Sequence, residues 1–322
     1  MTISSGFDQP PSDVTRRTMW KQTLRLIVLL ILIPYSVFVV VLVFLQRSLI
    51  YLPTREAHIE PTDAGLPGGQ VHNVRVETAD GVALHGWHVL PDGRSAADRA
   101  ECDDELAAGR PLVLYFSGNA ANRRYRVREF QALTSLGCDV FVFDYRGYGE
   151  NRGSPNEESL ATDARAVWDY ATQQRKVTPQ RIVLYGESLG GGVAVRLAAE
   201  VCEAGTPPAG IILRSTFPSL VDAGTYHYPW LPVRSFIVDR FPSVDRISAV
   251  TCPILQVHGM RDKIMPIELG RRLFDAAPKQ SSAGIPKRFV ELPTAGHNDV
   301  LLVAEEDLRR AVWEFLESLR SG

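Results

Sequence analysis

Three residue types that together can cleave an acyl bond occur in this chain in a telling order: Ser188, Asp262 and His297. Ser188 sits in Gly186-Glu187-Ser188-Leu189-Gly190, directly after the apolar stretch 181–185 and directly before a run of small residues. A serine hydroxyl is a poor nucleophile until a base takes its proton, and the base must be held by a carboxylate. The G-x-S-x-G pattern stands the serine on a sharp strand-to-helix turn, in a strained backbone with its hydroxyl exposed. Side chains two residues to either side would clash across so tight a turn, which accounts for the glycines. The helix that follows aims its positive end at any oxyanion formed there.

The acid and the base are chosen by order and position. In a strand–turn–helix hydrolase the order is serine, acid, histidine, each on a loop past a strand end. Asp262 follows the apolar stretch 253–257 in His258-Gly-Met-Arg-Asp262, and His297 follows Gly296 in the loop after residues 288–292. Of the other histidines, His58, His72, His85 and His88 precede the serine, while His227 and His258 precede Asp262. Asp299 is a rival acid, too close in sequence to His297 to reach around its ring. An oxyanion needs backbone N–H donors. Leu189, next to the nucleophile, is one expected donor. The loop after the strand ending at Phe116 supplies the other, with Asn119 favoured by position.

The elements needed to position these residues are legible in the pattern. Residues 71–78 and 82–89 alternate polar and apolar side chains around the turn signal Ala79-Asp80-Gly81, which predicts a hairpin. Continuous apolar strands are expected at 111–116, 138–143, 181–185, 210–213, 252–257 and 288–292. Helices are expected between them at 123–136, 158–174, 193–202 and 269–277, with a closing helix at 303–319. Such alternation predicts a mainly parallel sheet with helices on both faces. Residues 91–110 read as an acidic surface loop. The regular alternation breaks at 215–248, where aromatic residues and prolines predict a cap over a pocket, with Tyr228 and Trp230 as candidate wall residues.

The N-terminus is of another kind. Residues 26–45 run for about 20 positions without a charge, enough to cross a bilayer core. Arg16, Arg17, Lys21 and Arg25 precede the run, and only Arg47 and Arg55 follow closely. That asymmetry predicts a cytoplasmic N-terminus, with the remainder of the chain across the membrane. An uncleaved anchor is favoured over a secretory signal, because no small-x-small cleavage site follows the apolar core. The expected organisation is a basic tail at 1–23, a transmembrane helix at 24–45, a juxtamembrane linker at 46–69 and one domain at 70–322. The net charge of −2 over 322 residues gives no case for a nucleic-acid partner. None of the four cysteines forms a metal-ligand pattern, and free, mostly buried thiols are expected. No metal or organic cofactor is implied.

With these residues in place, the chain resembles the α/β-hydrolase superfamily, most closely the membrane-anchored Bem46-like, ABHD13 and ABHD17 type hydrolases. The likeness rests on a set of stretches: Gln46 to Pro53, Leu114 to Arg123, Asp144-Tyr-Arg-Gly-Tyr-Gly149, Gly186 to Gly192, Tyr228 to Arg234, His258 to Pro266 and Gly296 to Asp299. It implies an α/β-hydrolase fold with a short cap and serine hydrolysis of an ester, a thioester or a lipid. The family usually carries histidine where Ser117 stands, a change that spares the backbone donors. The activity expected is cleavage of a carboxylic ester or thioester, with a small or lipid-like substrate. A serine peptidase of the same fold and a non-catalytic anchored binding protein are the alternatives.

Overall fold

Eight strands make one sheet in the computed structural model, which describes residues 13–320. They are β1 (Val71–Glu77), β2 (Ala83–Val89), β3 (Leu112–Phe116), β4 (Asp139–Phe143), β5 (Ile182–Glu187), β6 (Gly210–Arg214), β7 (Ile254–Gly259) and β8 (Arg288–Leu292). Their order in space is β1-β2-β4-β3-β5-β6-β7-β8. β2 runs antiparallel to both its neighbours, β1 and β4, and the other pairings are parallel. The inner strands β3 to β7 are buried along their whole length, as a sheet covered on both faces requires. The edge strands β1 and β8 are partly exposed.

Side-chain alternation divides the core into two layers. Leu112, Leu114 and Phe116 of β3 pack on one face with Leu160 and Val167 of α3 (Glu157–Asp169) and Val193 and Leu197 of α4 (Leu189–Glu203). Val113 and Tyr115 pack on the other face with Phe130 of α2 (Val127–Thr134) and with Leu308, Val312 and Phe315 of α7 (Glu305–Arg320). The remaining longer helices are α1 (Arg99–Ala107), α5 (Leu220–His227) and α6 (Ile267–Ala276).

One local expectation fails. Residues 91–110 are not simply a loop, because α1 lies within them, capped by the Asp98 side chain, which accepts the Glu101 N–H. Its inward face consists of Cys102 and Leu106 alone. Two apolar positions in nine residues give too weak a period to read in advance. Cys102 Sγ meets His88 Nδ1 at 2.9 Å, and His88 Nε2 meets Asp139 Oδ1 at 2.9 Å. All four cysteines are free, and three of them are buried.

The chain divides into two compact units, residues 1–46 and 47–322. The described residues of the first are helical: Asp13–Ile27, a π-helical turn at Val28–Leu32, then a second α-helical stretch that begins at Ile33. The helix from Arg16 to Ile50 is long and apolar enough to cross a membrane. The wide turn has a cause in Pro34, whose ring would collide with the carbonyl four residues earlier and which offers no N–H. Widening the preceding turn relieves both defects without breaking the run. Past residue 46 the stretch expected as a linker is packed, with Tyr51, Ile59 and Leu66 buried.

Candidate active site

β5 ends at Glu187, and α4 begins at Leu189, so Ser188 alone makes the turn. Its backbone is at φ 50° and ψ −113°, which L-residues rarely adopt and which costs of the order of 1–3 kcal/mol. The turn is held from outside by the Ser188 N–H on the Arg214 carbonyl (2.9 Å) and by the Thr216 hydroxyl on the Ser188 carbonyl (2.9 Å). A Cβ on Gly186 would lie 2.6 Å from the Gly190 carbonyl oxygen, which is the expected clash across the turn. Gly190 is glycine for another reason. A Cβ there would sit 2.0 Å from the Phe116 carbonyl oxygen, on the neighbouring strand β3.

The structure brings Ser188, His297 and Asp262 into one line. Ser188 Oγ lies 3.1 Å from His297 Nε2, and His297 Nδ1 lies 2.7 Å from Asp262 Oδ2. Asp262 is buried beyond the end of β7, and its Oδ1 accepts the N–H groups of Ile264 (2.9 Å) and Met265 (2.7 Å). These bonds fix the carboxylate and leave Oδ2 facing the imidazole. Asp299 turns elsewhere, its Oδ1 accepting the Gly296 N–H at 2.6 Å. That closes the turn which carries His297. His258 is buried beside Asp262, 3.6 Å from Oδ2, but its Nε2 donates to the Met265 carbonyl at 2.7 Å. Burial pushes its imidazole down from the ordinary value, so it stays neutral.

Leu189 opens α4 next to Ser188, which leaves its N–H among the unpaired donors of a helix start. Asn119 lies in the loop after β3. The Tyr145 hydroxyl donates to the Ser117 carbonyl (3.1 Å), and the Tyr148 hydroxyl donates to the Asn119 carbonyl (2.8 Å). These bonds fix the peptides on either side of the one that carries the Asn119 N–H. The turn Asp144 to Gly149 thus braces the loop through its two tyrosines.

A buried charge cluster beneath the serine escaped the sequence reading. Glu187, the residue before Ser188, forms an ion pair with Arg214, whose Nη2 lies 3.0 Å from Oε1, and accepts both Arg126 Nε–H (2.9 Å) and the Tyr115 hydroxyl (2.6 Å) on Oε2. Burial alone would raise its pKa, but the guanidinium groups of Arg214 and Arg126 outweigh it and hold the carboxyl down to about 2. Glu129, 3.6 Å from Arg214, is pushed up by burial and by the charge of Glu187. A signal was present. Glu187 and Arg214 occupy paired positions at the ends of adjacent strands that are otherwise apolar.

A family model described as alpha/beta hydrolase fold matches residues 111–242. An uncharacterized protein of Mycobacterium tuberculosis is 41% identical over 271 residues, covering 84% of this chain and 87% of that one. The lysophosphatidylserine lipase ABHD12 of Danio rerio is 30% identical over 279 residues, covering 80% of this chain and 72% of the lipase. The chain belongs to the α/β-hydrolase family. An esterase from Pyrococcus furiosus superposes with a TM-score of 0.60 at 20% identity, over 84% of this chain and 97% of its own, and so shares the fold.

In this α/β hydrolase the segment 215–248 splits its aromatic residues. Phe217 and Phe241 are in the core, whereas Tyr228 and Trp230 are 52% and 57% exposed. The latter two rings pack edge to face at 6.5 Å. The cap does reach the acid loop, through His227, whose Nε2 bonds the Ile264 carbonyl at 2.7 Å. His227 has the wrong order to be the base, and this contact is its place in the fold.

Proposed function

We propose that this α/β hydrolase is a membrane-anchored serine hydrolase that cleaves carboxylic esters of lipid-like substrates through an acyl-enzyme on Ser188. The observation that carries the reading is the hydrogen-bonded line Ser188–His297–Asp262, at 3.1 and 2.7 Å. His297 Nε2 takes the hydroxyl proton as Ser188 Oγ attacks the acyl carbon. Asp262 holds the ring with Nδ1–H toward itself and stabilises the imidazolium. The N–H groups of Leu189 and Asn119 receive the oxyanion. As the tetrahedral intermediate collapses, the bond to the leaving alcohol breaks and His297 returns the proton to its oxygen. Water then attacks the acyl carbon as His297 takes its proton; the bond to Ser188 Oγ breaks, the carboxylic acid leaves and His297 returns the proton to Oγ. Thioesters fit the same chemistry.

A lipid-like substrate is supported by the relatives named as lysophosphatidylserine lipases and by the exposed aromatic rings of the 215–248 cap. In this reading Tyr228 and Trp230 meet the acyl chain at the rim of the site, and residues 24–45 anchor the protein with its N-terminus in the cytoplasm. The test is a panel of esters of graded chain length, with matched thioesters and peptide amides, given to the wild type and Ser188→Ala. Ester turnover that Ser188→Ala abolishes, together with loss of fluorophosphonate labelling, is expected. Near-normal turnover by the mutant would remove the serine mechanism, and preferred turnover of amides would make the enzyme a peptidase. A C-terminal reporter that stays in the cytoplasm would refute the topology.

A further inference from the structure

The last turn of the apolar helix and the residues just after it are bonded to the loop that carries Asn119. The Leu52 N–H donates to the Asn119 carbonyl at 2.9 Å, and Asn119 Nδ2 donates to the Ile50 carbonyl at 2.7 Å. Leu52 and Pro53 form a short parallel ladder with Ala120 and Ala121. Asn122 Nδ2 donates to the Thr54 carbonyl at 3.2 Å, and that carbonyl also accepts the Gly149 N–H at 2.9 Å. Ala121, inside the ladder, is held at φ 66°. A side chain enters that region at a cost and stays only when its surroundings over-determine it. The same segment reaches the cap. Arg47 Nε and Nη2 each lie 3.1 Å from a carboxylate oxygen of Asp239, and the Tyr51 hydroxyl donates to Asp239 Oδ2 at 3.0 Å.

We propose that residues 47–54 are a positioning element of the active site, setting the 117–122 loop so that the Asn119 N–H faces the oxyanion. The membrane-proximal chain then acts in catalysis as well as in attachment. The inference rests on the serine-hydrolase reading of Ser188. Its chemical basis is bracketing. Ile50 and Leu52 hold the Asn119 side chain and carbonyl from one side, and Tyr148 holds the same carbonyl from another. The peptide that presents the N–H is left little freedom. Donors aimed at a developing charge act by being in place beforehand, and a displacement of about 1 Å costs up to about a hundredfold in rate.

The experiment uses the full chain in detergent micelles with a short, water-soluble acetate ester, so that membrane partition plays no part. Asn119→Ala keeps the backbone N–H and removes the bond to Ile50. Leu52→Pro removes the N–H that holds the Asn119 carbonyl. Each is expected to lower kcat about ten- to a hundredfold with KM within about twofold. The pH midpoint of kcat/KM stays in place, because the base and its acid are untouched. The double variant is expected to be no worse than about the poorer single one, since both break one hold. The thermal midpoint of each variant is read alongside, and Asn119→Ala, the milder change, decides the matter if Leu52→Pro unfolds. Wild-type kcat in folded Asn119→Ala, or a change confined to KM, overturns the proposal. Ser188→Ala in the same assay separates the two layers. If it is inactive while Asn119→Ala is normal, only the positioning role is lost; if it is active, the serine mechanism falls and this role with it.

Discussion

Two pieces of backbone pack against each other beside Ser188, and they are built in opposite ways. The turn at Ser188 draws on seven consecutive residues, Gly186 to Gly192, and on the ends of the strands beside it. The 117–122 loop opposite draws on residues 50–54 and on Tyr145 and Tyr148. A strained serine can be fixed locally, because a strand runs into a helix and steric exclusion does the rest. The 117–122 loop has no such scaffold, so its geometry comes from distant chain. The difference predicts that the first region fails abruptly when touched and that the second can be weakened in steps.

The largest effect is expected at Gly190→Ala. The new Cβ would lie 2.0 Å from the Phe116 carbonyl oxygen, a backbone atom that cannot swing aside. Either α4 shifts away from β3 and drags Ser188 with it, or the domain loses about 3 kcal/mol of stability. Turnover at background level and a lower thermal midpoint are expected. Gly118→Ala, in the facing loop, is the control. Its Cβ would find nothing closer than 3.6 Å, so stability should change by less than about 0.5 kcal/mol. Equal sensitivity of the two glycines would break the comparison.

Next in size is Glu187→Gln. The side chain keeps its shape and loses its charge, which leaves the buried guanidinium of Arg214 short of its main partner. A cost of about 2–3 kcal/mol is expected in denaturant unfolding. Because Glu187 touches Arg126, whose Nη2 also holds the Ala120 carbonyl at 3.2 Å, kcat should fall as well. A stability loss with unchanged kcat would confine the cluster to a structural role and uncouple the two regions.

What could be read in advance follows the same division. Ser188, Asp262 and His297 could be grouped from order and from their places past strand ends, and the structure brings them within hydrogen-bonding distance because the fold puts such loops at one edge of the sheet. The strands were found because burial on both faces leaves long apolar runs. The partners of the 117–122 loop were not found, since nothing in Gln46 to Pro53 says which loop it will bond to. The Glu187–Arg214 pair was missed because each residue alone looks like an ordinary charge at a strand end. Tyr228 and Trp230 were read as pocket wall because aromatic residues are costly to expose, yet both stand more than half exposed.

The smallest effect is one of pH, and it concerns the histidines that lie outside the reacting line. His258 and His88 are both fully buried, and burial pushes both imidazoles below the ordinary value near 6.5. For His258 the bond to the Met265 carbonyl and the charge of Asp262 oppose the shift, and burial wins. For His88 the opposing group is Asp139, and burial wins again. Above the unfolded value both states hold the ring neutral, and pH does not alter stability. As pH falls below about 6.5 the unfolded chain takes up protons that the folded one refuses, so stability is lost, by up to about 1.4 kcal/mol per group for each unit of pH. The loss levels off once pH has fallen through the folded value. The thermal midpoint is therefore expected to hold between about pH 8 and 7 and to fall as pH drops toward 5. His258→Gln can still donate to the Met265 carbonyl and has no proton to gain, so it should flatten part of that fall while leaving the plateau near its wild-type height. A midpoint that is level down to pH 5 would show that these rings are not held neutral. An undiminished fall in His258→Gln would move the whole effect to His88, and with it the acid sensitivity from the Asp262 loop to β2, near the other edge of the sheet.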